Sequence, residues 1–129
     1  MKGLILLDTS VWIEHFKERV KINEEEIPFF ATCLPVYQEV LQGIRLDAQK
    51  RLVTEAFSHL KFLCDPLEKP IFERAVELFR FCRKNGYTIR SSADCLIAAI
   101  AEKNEAILWT RDRDFEVLKR FGEFEVRWL

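Results

Sequence analysis

The stretch that decides the fold is Leu4-Ile5-Leu6-Leu7-Asp8-Thr9-Ser10-Val11-Trp12-Ile13, near the start of the chain. Its first four residues are apolar without alternation, which is typical of a strand buried on both faces in a parallel sheet. Asp8-Thr9-Ser10 is a good cluster for starting a helix, and the amphipathic residues 11–18 follow it. The segment predicts a central strand that leads directly into a helix.

The same strand-to-helix pattern recurs along the chain. A second apolar burst, residues 29–33, precedes a helix with Pro35 in its first turn and Gly43 at its end. Residues 48–60 have helical spacing, and residues 61–64 after them are a candidate for a short edge strand. These elements indicate repeated parallel strands with helical connections.

The second half of the chain continues the alternation. Pro70 opens a helix that Asn85-Gly86 ends, and residues 91–103 form a helix that is nearly all apolar after its first turn. Residues 106–109 predict another central strand, residues 115–121 a short helix, and residues 124–129 an edge strand. Strands alternating with helices predict an α/β sandwich with right-handed crossovers.

Length and composition favour one globular domain over residues 1–129. The chain is 49% hydrophobic and 32% charged, which suits a single buried core. No run approaches the roughly 20 apolar residues that span a bilayer, so we expect a soluble protein without a membrane segment. The four cysteines show no CxxC spacing and favour cytoplasmic thiols, although pairing among them, as in some hyperthermophile proteins, stays open.

The formal charge of −1 argues against a protein that holds nucleic acid through a positive field over its whole surface. Any RNA contact must therefore be local. Basic side chains lie in two groups interleaved with aromatic residues, and solvated helix faces explain most such groups equally well. The candidates for RNA contact are Arg83, Lys84, Arg90, Arg111 and Arg113.

Two acids should lie at the carboxyl ends of neighbouring strands, where parallel sheets form their sites. Asp8 follows the first strand directly, and Asp112 follows the strand that ends near Thr110. Each has a local alternative, since Asp8 can cap a helix and Asp112 and Asp114 can form a turn. Asp94, three residues after Ser91, matches a capping box.

Glu39 is harder to explain locally, because it lies on the helix side shared with Val36 and Val40 and so near the core. A buried carboxylate is costly unless its pKa shifts or a cation joins it. Oxygen ligands from Asp and Glu suit Mg²⁺ or Mn²⁺, and no Cys/His cluster offers a zinc site. We therefore expect a divalent metal site.

The four acids come in the order Asp8, Glu39, Asp94 and Asp112, with Ser10 after the first and Thr110 before the last. The sequence resembles the PIN-domain nucleases, and within them the VapC-type toxins of toxin-antitoxin pairs. The motifs that carry this resemblance are Leu-Leu-Asp8-Thr-Ser10-Val-Trp-Ile, Glu39 inside a helix, Ala93-Asp94-x-x-Ile97-Ala98 and Thr110-x-Asp112-x-Asp114-Phe115. Each motif alone is weak, and the ordered set over nearly the whole chain is fairly specific.

The resemblance implies a three-layer α/β/α sandwich around a central, mainly parallel five-stranded sheet. It also implies divalent-metal-dependent RNA cleavage, neutralisation by a cognate VapB-like antitoxin, and a homodimer. Residue by residue, the family's catalytic and metal-binding acids match Asp8, Glu39, Asp94 and Asp112, supported by Ser10, Thr110 and Asp114. The loop before Asp94 departs from the family pattern, because it has no glycine-rich entry.

Aromatic residues between positions 11 and 60 are interpreted as core or as a groove for the antitoxin or a second copy: Trp12, Phe16, Phe29 and Phe30. Other functions remain as alternatives. They are a non-catalytic Mg²⁺-binding regulatory domain of the receiver kind, a PIN-like nuclease with a housekeeping RNA-processing role, and an enzyme acting on structured DNA. A haloacid dehalogenase phosphatase would need an acid at position 10, where this chain has Ser10.

Overall fold

The computed structural model describes residues 3–129. Five strands and six α-helices alternate along these residues. In chain order they are β1 (Ile5–Leu7), α1 (Thr9–Phe16), β2 (Phe30–Thr32), α2 (Leu34–Gln42), α3 (Asp47–Ser58), β3 (Lys61–Phe62), α4 (Lys69–Lys84), α5 (Ser92–Asn104), β4 (Ile107–Thr110), α6 (Asp114–Leu118) and β5 (Glu125–Trp128).

The five strands form one sheet in the order β3-β2-β1-β4-β5, and every neighbouring pair is parallel. Along the chain, β1 is followed by β2 and then β3 toward one edge of the sheet. The chain then crosses to β4, on the other side of β1. The strand order therefore reverses between β1 and β4, where Leu7 is paired with Trp109. The predicted α/β fold with a central, parallel five-stranded sheet is confirmed.

Burial explains why β1 is the central strand. Ile5, Leu6 and Leu7 are all buried, as a strand with helices on both faces requires. The edge strand β5 instead carries exposed or half-buried residues throughout. The predicted edge positions of residues 61–64 and 124–129 are likewise confirmed.

The helix α5 is the most deeply buried helix among the described residues, as its apolar sequence predicts. Seven of its residues, from Asp94 to Ala101, are buried. Helix α4 packs on it through a stripe at helical spacing, Ile71, Ala75, Leu78 and Cys82. This packing fixes the first turn of α5, which carries Asp94.

Three local features differ from or add to the sequence-based expectation. Helix α1 begins at Thr9, two residues before the predicted start. A short 3-10 helix, Glu24–Phe29, was not predicted, because a segment of so few residues has no readable periodicity. Of the four aromatic residues, Trp12 and Phe30 are buried, whereas Phe16 and Phe29 are exposed.

All four cysteines are free thiols in this structure: Cys33, Cys64, Cys82 and Cys95. Within residues 3–129, no helix combines the length and the apolar character that crossing a membrane requires.

Candidate functional site

The reversal of strand order between β1 and β4 places two acids side by side. Asp8 directly follows β1, and Asp112 lies two residues beyond the end of β4. The backbone N–H of Asp8 donates to the carbonyl of Trp109 at 2.9 Å, so the two strand ends are joined at this point. The carboxyl ends of these strands are where an open parallel sheet builds its sites.

Asp8 is held by two hydroxyl groups from different parts of the chain. It is 4% exposed, and its Oδ2 accepts hydrogen bonds from Thr110 Oγ1 at 2.7 Å and from Ser10 Oγ at 3.0 Å. Asp8 occupies the N-cap position of α1, but its side chain makes no capping hydrogen bond. The interpretation of Asp8 as an ordinary capping residue is therefore wrong, because its carboxylate turns toward these hydroxyl groups.

Asp94 lies in the first turn of α5 and is 7% exposed. The predicted capping box between Ser91 and Asp94 is wrong, since no side chain caps the start of this helix. Oxygen atoms of Asp94, Asp112 and Asp114 all lie within 4.8 Å of one another. The buried helix α5 thus places the Asp94 carboxylate at the end of β4, and this carboxylate does not cap the helix's own backbone.

Asp112 also has the turn-forming role that its sequence allows. Its Oδ1 accepts from the backbone N–H of Asp114 at 3.0 Å, and its own N–H donates to Thr110 Oγ1 at 2.9 Å. These two bonds fix the acid beside the strand end. Asp114, predicted only as a supporting residue, lies in the same cluster as Asp94 and Asp112. Its Oδ2 also lies 3.6 Å from Nε of Arg90.

Glu39 approaches the same end of the sheet from α2. Its neighbours Val36 and Val40 are buried, and Glu39 itself is half-buried, as the helix spacing predicts. Its Oε1 accepts a hydrogen bond of 3.1 Å from Thr9 Oγ1 at the start of α1. Thr9, whose role the sequence analysis missed, therefore ties Glu39 to the residue that follows Asp8.

Burial and mutual repulsion raise the pKa values of three of these carboxyl groups. Burial is the main cause for Asp8 and Glu39, and the charge of Asp112 raises both pKa values further. Burial, followed by the charges of Asp112 and Asp8, raises the pKa of Asp94 to about 8. The charges of Asp112, Asp8 and Glu39 all raise the pKa of Asp94, as expected for carboxylates that share one site.

Among the described residues, the four predicted acids have no basic side chain that neutralises them. Within residues 3–129, no Lys or Arg forms an ion pair with Asp8, Glu39, Asp94 or Asp112. A cluster of buried carboxylates without such a partner fits a divalent cation, which supplies the missing positive charge. Its donors are all oxygen atoms, the type that Mg²⁺ and Mn²⁺ prefer.

The basic residues predicted to contact RNA lie in different settings. Arg90 and Arg111 are next to the acids, where Arg111 binds Glu14 at 2.9 Å. Arg113 covers the ring of Trp128. Arg83 covers the ring of Phe79, and Lys84 lies with it in the last turn of α4.

A cavity of about 660 Å³ is separate from the acids. Phe30 and Leu60 line it, and they lie where β2 and β3 begin, at the sheet end opposite the carboxylates. We call it the α1–α3 groove, and its other walls come from α1, α3 and the 3-10 helix. Its full lining is Trp12, His15, Glu18, Val20, Lys21, Ile22, Glu24, Ile27, Phe30, Ala56, Phe57 and Leu60.

Comparisons with a family model and with known proteins point to the same family. The family model described as PIN domain matches residues 5–120. Ribonuclease VapC11 of Mycobacterium tuberculosis is 34% identical over 95% of this chain and 96% of the relative. Ribonuclease VapC1 of Methanocaldococcus jannaschii is 34% identical over 92% of this chain and 83% of the relative.

Solved structures show the same fold at lower sequence identity. VapBC-1 from nontypeable Haemophilus influenzae has a TM-score of 0.74 with 20% identity, covering 95% of this chain and 96% of that one. VapBC2 from Rickettsia felis, bound to a DNA fragment from its promoter, has a TM-score of 0.71 with 17% identity, covering 97% and 98%. These solved structures therefore share the fold of this chain over nearly its whole length.

Proposed function

The chain belongs to the PIN-domain family, and from this we propose that it is an endoribonuclease that depends on a divalent metal ion. We propose further that it is the toxin of a VapBC-type toxin-antitoxin pair, with residues 1–129 acting as one domain in the cytoplasm. Relatives named VapC ribonucleases match almost their full length here, which supports both parts of the proposal. The four free thiols suit a reducing compartment.

One observation carries the catalytic proposal. Asp8, Glu39, Asp94 and Asp112 come from separate parts of the chain and meet at one end of the sheet, where the charges of the other three raise the pKa of Asp94, and no described basic residue pairs with them. A protein that used these acids only for capping or turns would not need to bury two of them together. The arrangement instead supports a site for Mg²⁺ or Mn²⁺.

In the proposed mechanism Asp8 and Asp94 are the main ligands, because they are the most buried of the four acids. A divalent cation held there would act as a Lewis acid that activates water and stabilises charge on the phosphate. Thr110 and Ser10 keep the Asp8 carboxylate in place through their hydroxyl groups. Glu39, whose pKa burial raises, would orient the attacking water and accept its proton.

Asp112 and Asp114 complete the acidic cluster next to Asp94. Because Asp112 also holds the backbone of Asp114, it would support the site through both its charge and the turn that it stabilises. Changing Asp112 should therefore affect the position of its neighbour as well as the metal.

Incubation of the purified protein with a panel of cellular RNAs and Mg²⁺ or Mn²⁺ tests the proposal. Asp8→Asn and Asp94→Asn are the matched variants, since each removes one charge and keeps the side-chain shape. We expect wild type to cut RNA only with the metal present and both variants to lose cutting. Cutting by the variants at the wild-type rate would refute the assignment, and metal binding without any cutting would favour the non-catalytic regulatory domain.

We also propose that the α1–α3 groove binds a segment of the antitoxin. Its walls are largely apolar, and Ile27 at its rim is 47% exposed, so the groove offers contiguous apolar surface to a partner. Glu18, Lys21 and Glu24 line the same groove and offer charges for a polar edge. An amphipathic segment fits this combination. The homodimer remains a prediction.

A short reading frame directly upstream that encodes a small DNA-binding protein would identify the antitoxin to test. Co-expression of that protein with this chain should give a stable complex, and expression of this chain alone should arrest growth. Normal growth together with RNA cutting in vitro would favour the housekeeping nuclease.

A further inference from the structure

Glu14 is a buried acid that the proposed mechanism does not use. It is 9% exposed on α1, and its Oε1 forms an ion pair with Arg111, with Nη1 at 2.9 Å. Its other oxygen lies 3.6 Å from Nη1 of Arg19. Burying a charged carboxylate is costly unless a good partner is present, and the close ion pair with Arg111 supplies that partner.

Arg111 is held at two points by one face of α1. Its backbone N–H donates to Ser10 Oγ at 3.2 Å, while its guanidinium binds Glu14. Ser10 and Glu14 are four residues apart and therefore neighbours on the helix surface. Since Ser10 also donates to Asp8, the backbone of Arg111 is tied to the acid cluster.

Arg111 is adjacent to the acid cluster in the chain, but its guanidinium does not pair with the four acids. Arg111 stands between Thr110 and Asp112 in the chain, yet its ion-pair partner among the described residues is Glu14. An arginine free to move there would be attracted to the carboxylates and would compete with a cation. The ion pair with Glu14 thus holds the positive charge of Arg111 away from the carboxylates.

The Arg111 side chain is 54% exposed, so donors of its guanidinium that do not face Glu14 are open to a ligand. A guanidinium has five N–H donors in a planar fork that matches phosphate oxygens. The protein as a whole has a charge of −1, so its attraction for a polyanion must come from a few placed cations.

We propose that Glu14 is a positioning residue that holds Arg111 against a backbone phosphate of the bound RNA. This inference rests on the proposed ribonuclease function and adds Glu14 to the residues that serve it. Arg111 contacts the substrate, and Glu14 acts only through Arg111.

A double-mutant cycle with Glu14→Gln and Arg111→Gln tests the proposal. Binding of a fluorescein-labelled oligoribonucleotide is measured by anisotropy in EDTA at several salt concentrations, and KM and kcat are measured separately with Mn²⁺. Arg111→Gln should weaken RNA binding about 10-fold, as expected for a lost charged hydrogen bond. It should also reduce the salt slope of log K by about 1.

Glu14→Gln should raise KM in the wild-type background, leave kcat nearly unchanged, and have no further effect in the Arg111→Gln background. Arg111→Lys keeps the charge and should retain the salt slope. Arg19→Gln is the matched control, because it removes the exposed second partner of Glu14, and it should leave KM unchanged.

Three results would overturn the inference. One is an equal effect of Glu14→Gln in both backgrounds, and another is a loss of Mn²⁺ affinity in Glu14→Gln, which would indicate a purely structural role. The third is an unchanged salt slope in Arg111→Gln while wild type still binds and cuts RNA, which leaves the proposed function intact. Wild type that neither binds nor cuts RNA would instead refute both proposals.

Discussion

Thr110 Oγ1 donates a hydrogen bond of 2.7 Å to Oδ2 of Asp8, joining two residues that are 102 positions apart in the chain. The same hydroxyl accepts the backbone N–H of Asp112 at 2.9 Å. Thr110 is fully buried at the end of β4, next to the end of β1. A single hydroxyl group therefore fixes two of the four acids of the proposed metal site.

Thr110→Val keeps the shape of the side chain and removes the hydroxyl, so it should weaken metal binding. Partners that orient metal ligands typically contribute 10- to 100-fold in affinity, and we expect Mn²⁺ affinity to fall by about that factor. Isothermal titration with Mn²⁺ measures the change. Thr110→Ser keeps the hydroxyl and should bind Mn²⁺ nearly as wild type does. Wild-type affinity in Thr110→Val would contradict the role of this hydroxyl.

Asp94→Asn should stabilise the metal-free protein as the pH rises. Burial and the charges of Asp112 and Asp8 raise the folded-state pKa of Asp94 to about 8, whereas an unfolded Asp ionises near about 3.9. The stability contributed by the protonated carboxyl is complete below about pH 3.9 and is lost progressively as the pH rises to about 8. The Tm of Asp94→Asn in EDTA should therefore exceed that of wild type by a margin that grows over this range.

Glu26→Gln is a control for this pH series, because its Tm difference from wild type should change with pH in the opposite direction. The hydrogen bonds from Arg127 lower the pKa of Glu26, so its stabilising contribution is present above the unfolded-state pKa and is lost as the pH falls through the lower folded value. Its Tm should lie below wild type at neutral pH and approach wild type in acid. A Tm margin for Asp94→Asn that stays constant with pH would contradict the account of the acid cluster.

Glu39→Gln should reduce catalysis more than metal binding. A positioned acid-base group typically contributes about 10²- to 10⁴-fold to the rate, and the main ligands Asp8 and Asp94 remain in this variant. We expect kcat for RNA cleavage to fall by that factor while Mn²⁺ affinity changes little. Glu55→Gln, on the exposed face of α3, is the matched control and should cut at the wild-type rate. Equal kcat in both variants would exclude Glu39 from the reaction.

Ala56→Arg should block antitoxin binding and spare RNA cutting. Ala56 is exposed on α3 and lines the α1–α3 groove, so a long charged side chain there would fill it. Glu55→Arg places the same side chain on the adjacent residue, which does not line the groove. Co-purification with the upstream-encoded protein should be lost only in Ala56→Arg. Retained binding in that variant would place the antitoxin elsewhere.

The sequence was sufficient to predict the central strand and the position of two acids. An unbroken apolar run fixes β1 at the centre, and a parallel sheet must then bring Asp8 and Asp112 to the same end. The burial of Glu39 followed from its spacing relative to Val36 and Val40. These features depend on periodicity and topology, which a single sequence carries.

The hydrogen-bond partners of the acids were beyond the sequence. Local rules favour Asp8 and Asp94 as caps, but a buried carboxylate can instead accept from a hydroxyl far along the chain, and only the tertiary fold brings Thr110 into reach. In the sequence, Glu14 is one polar residue among several on an amphipathic helix. The sequence marks Glu14 only as an acid four residues after Ser10. The structure gives this spacing its significance, because Arg111 contacts both Ser10 and Glu14.

Anomalous X-ray diffraction from crystals soaked in Mn²⁺ tests the central claim most directly. The account predicts a single strong peak, or two adjacent ones, at the carboxyl ends of β1 and β4. Carboxylate oxygens of Asp8 and Asp94 should lie within about 2.0–2.5 Å of the ion, as for hard divalent cations. Peaks confined to other surfaces, with the carboxylates of Asp8 and Asp94 unchanged and uncoordinated, would contradict it.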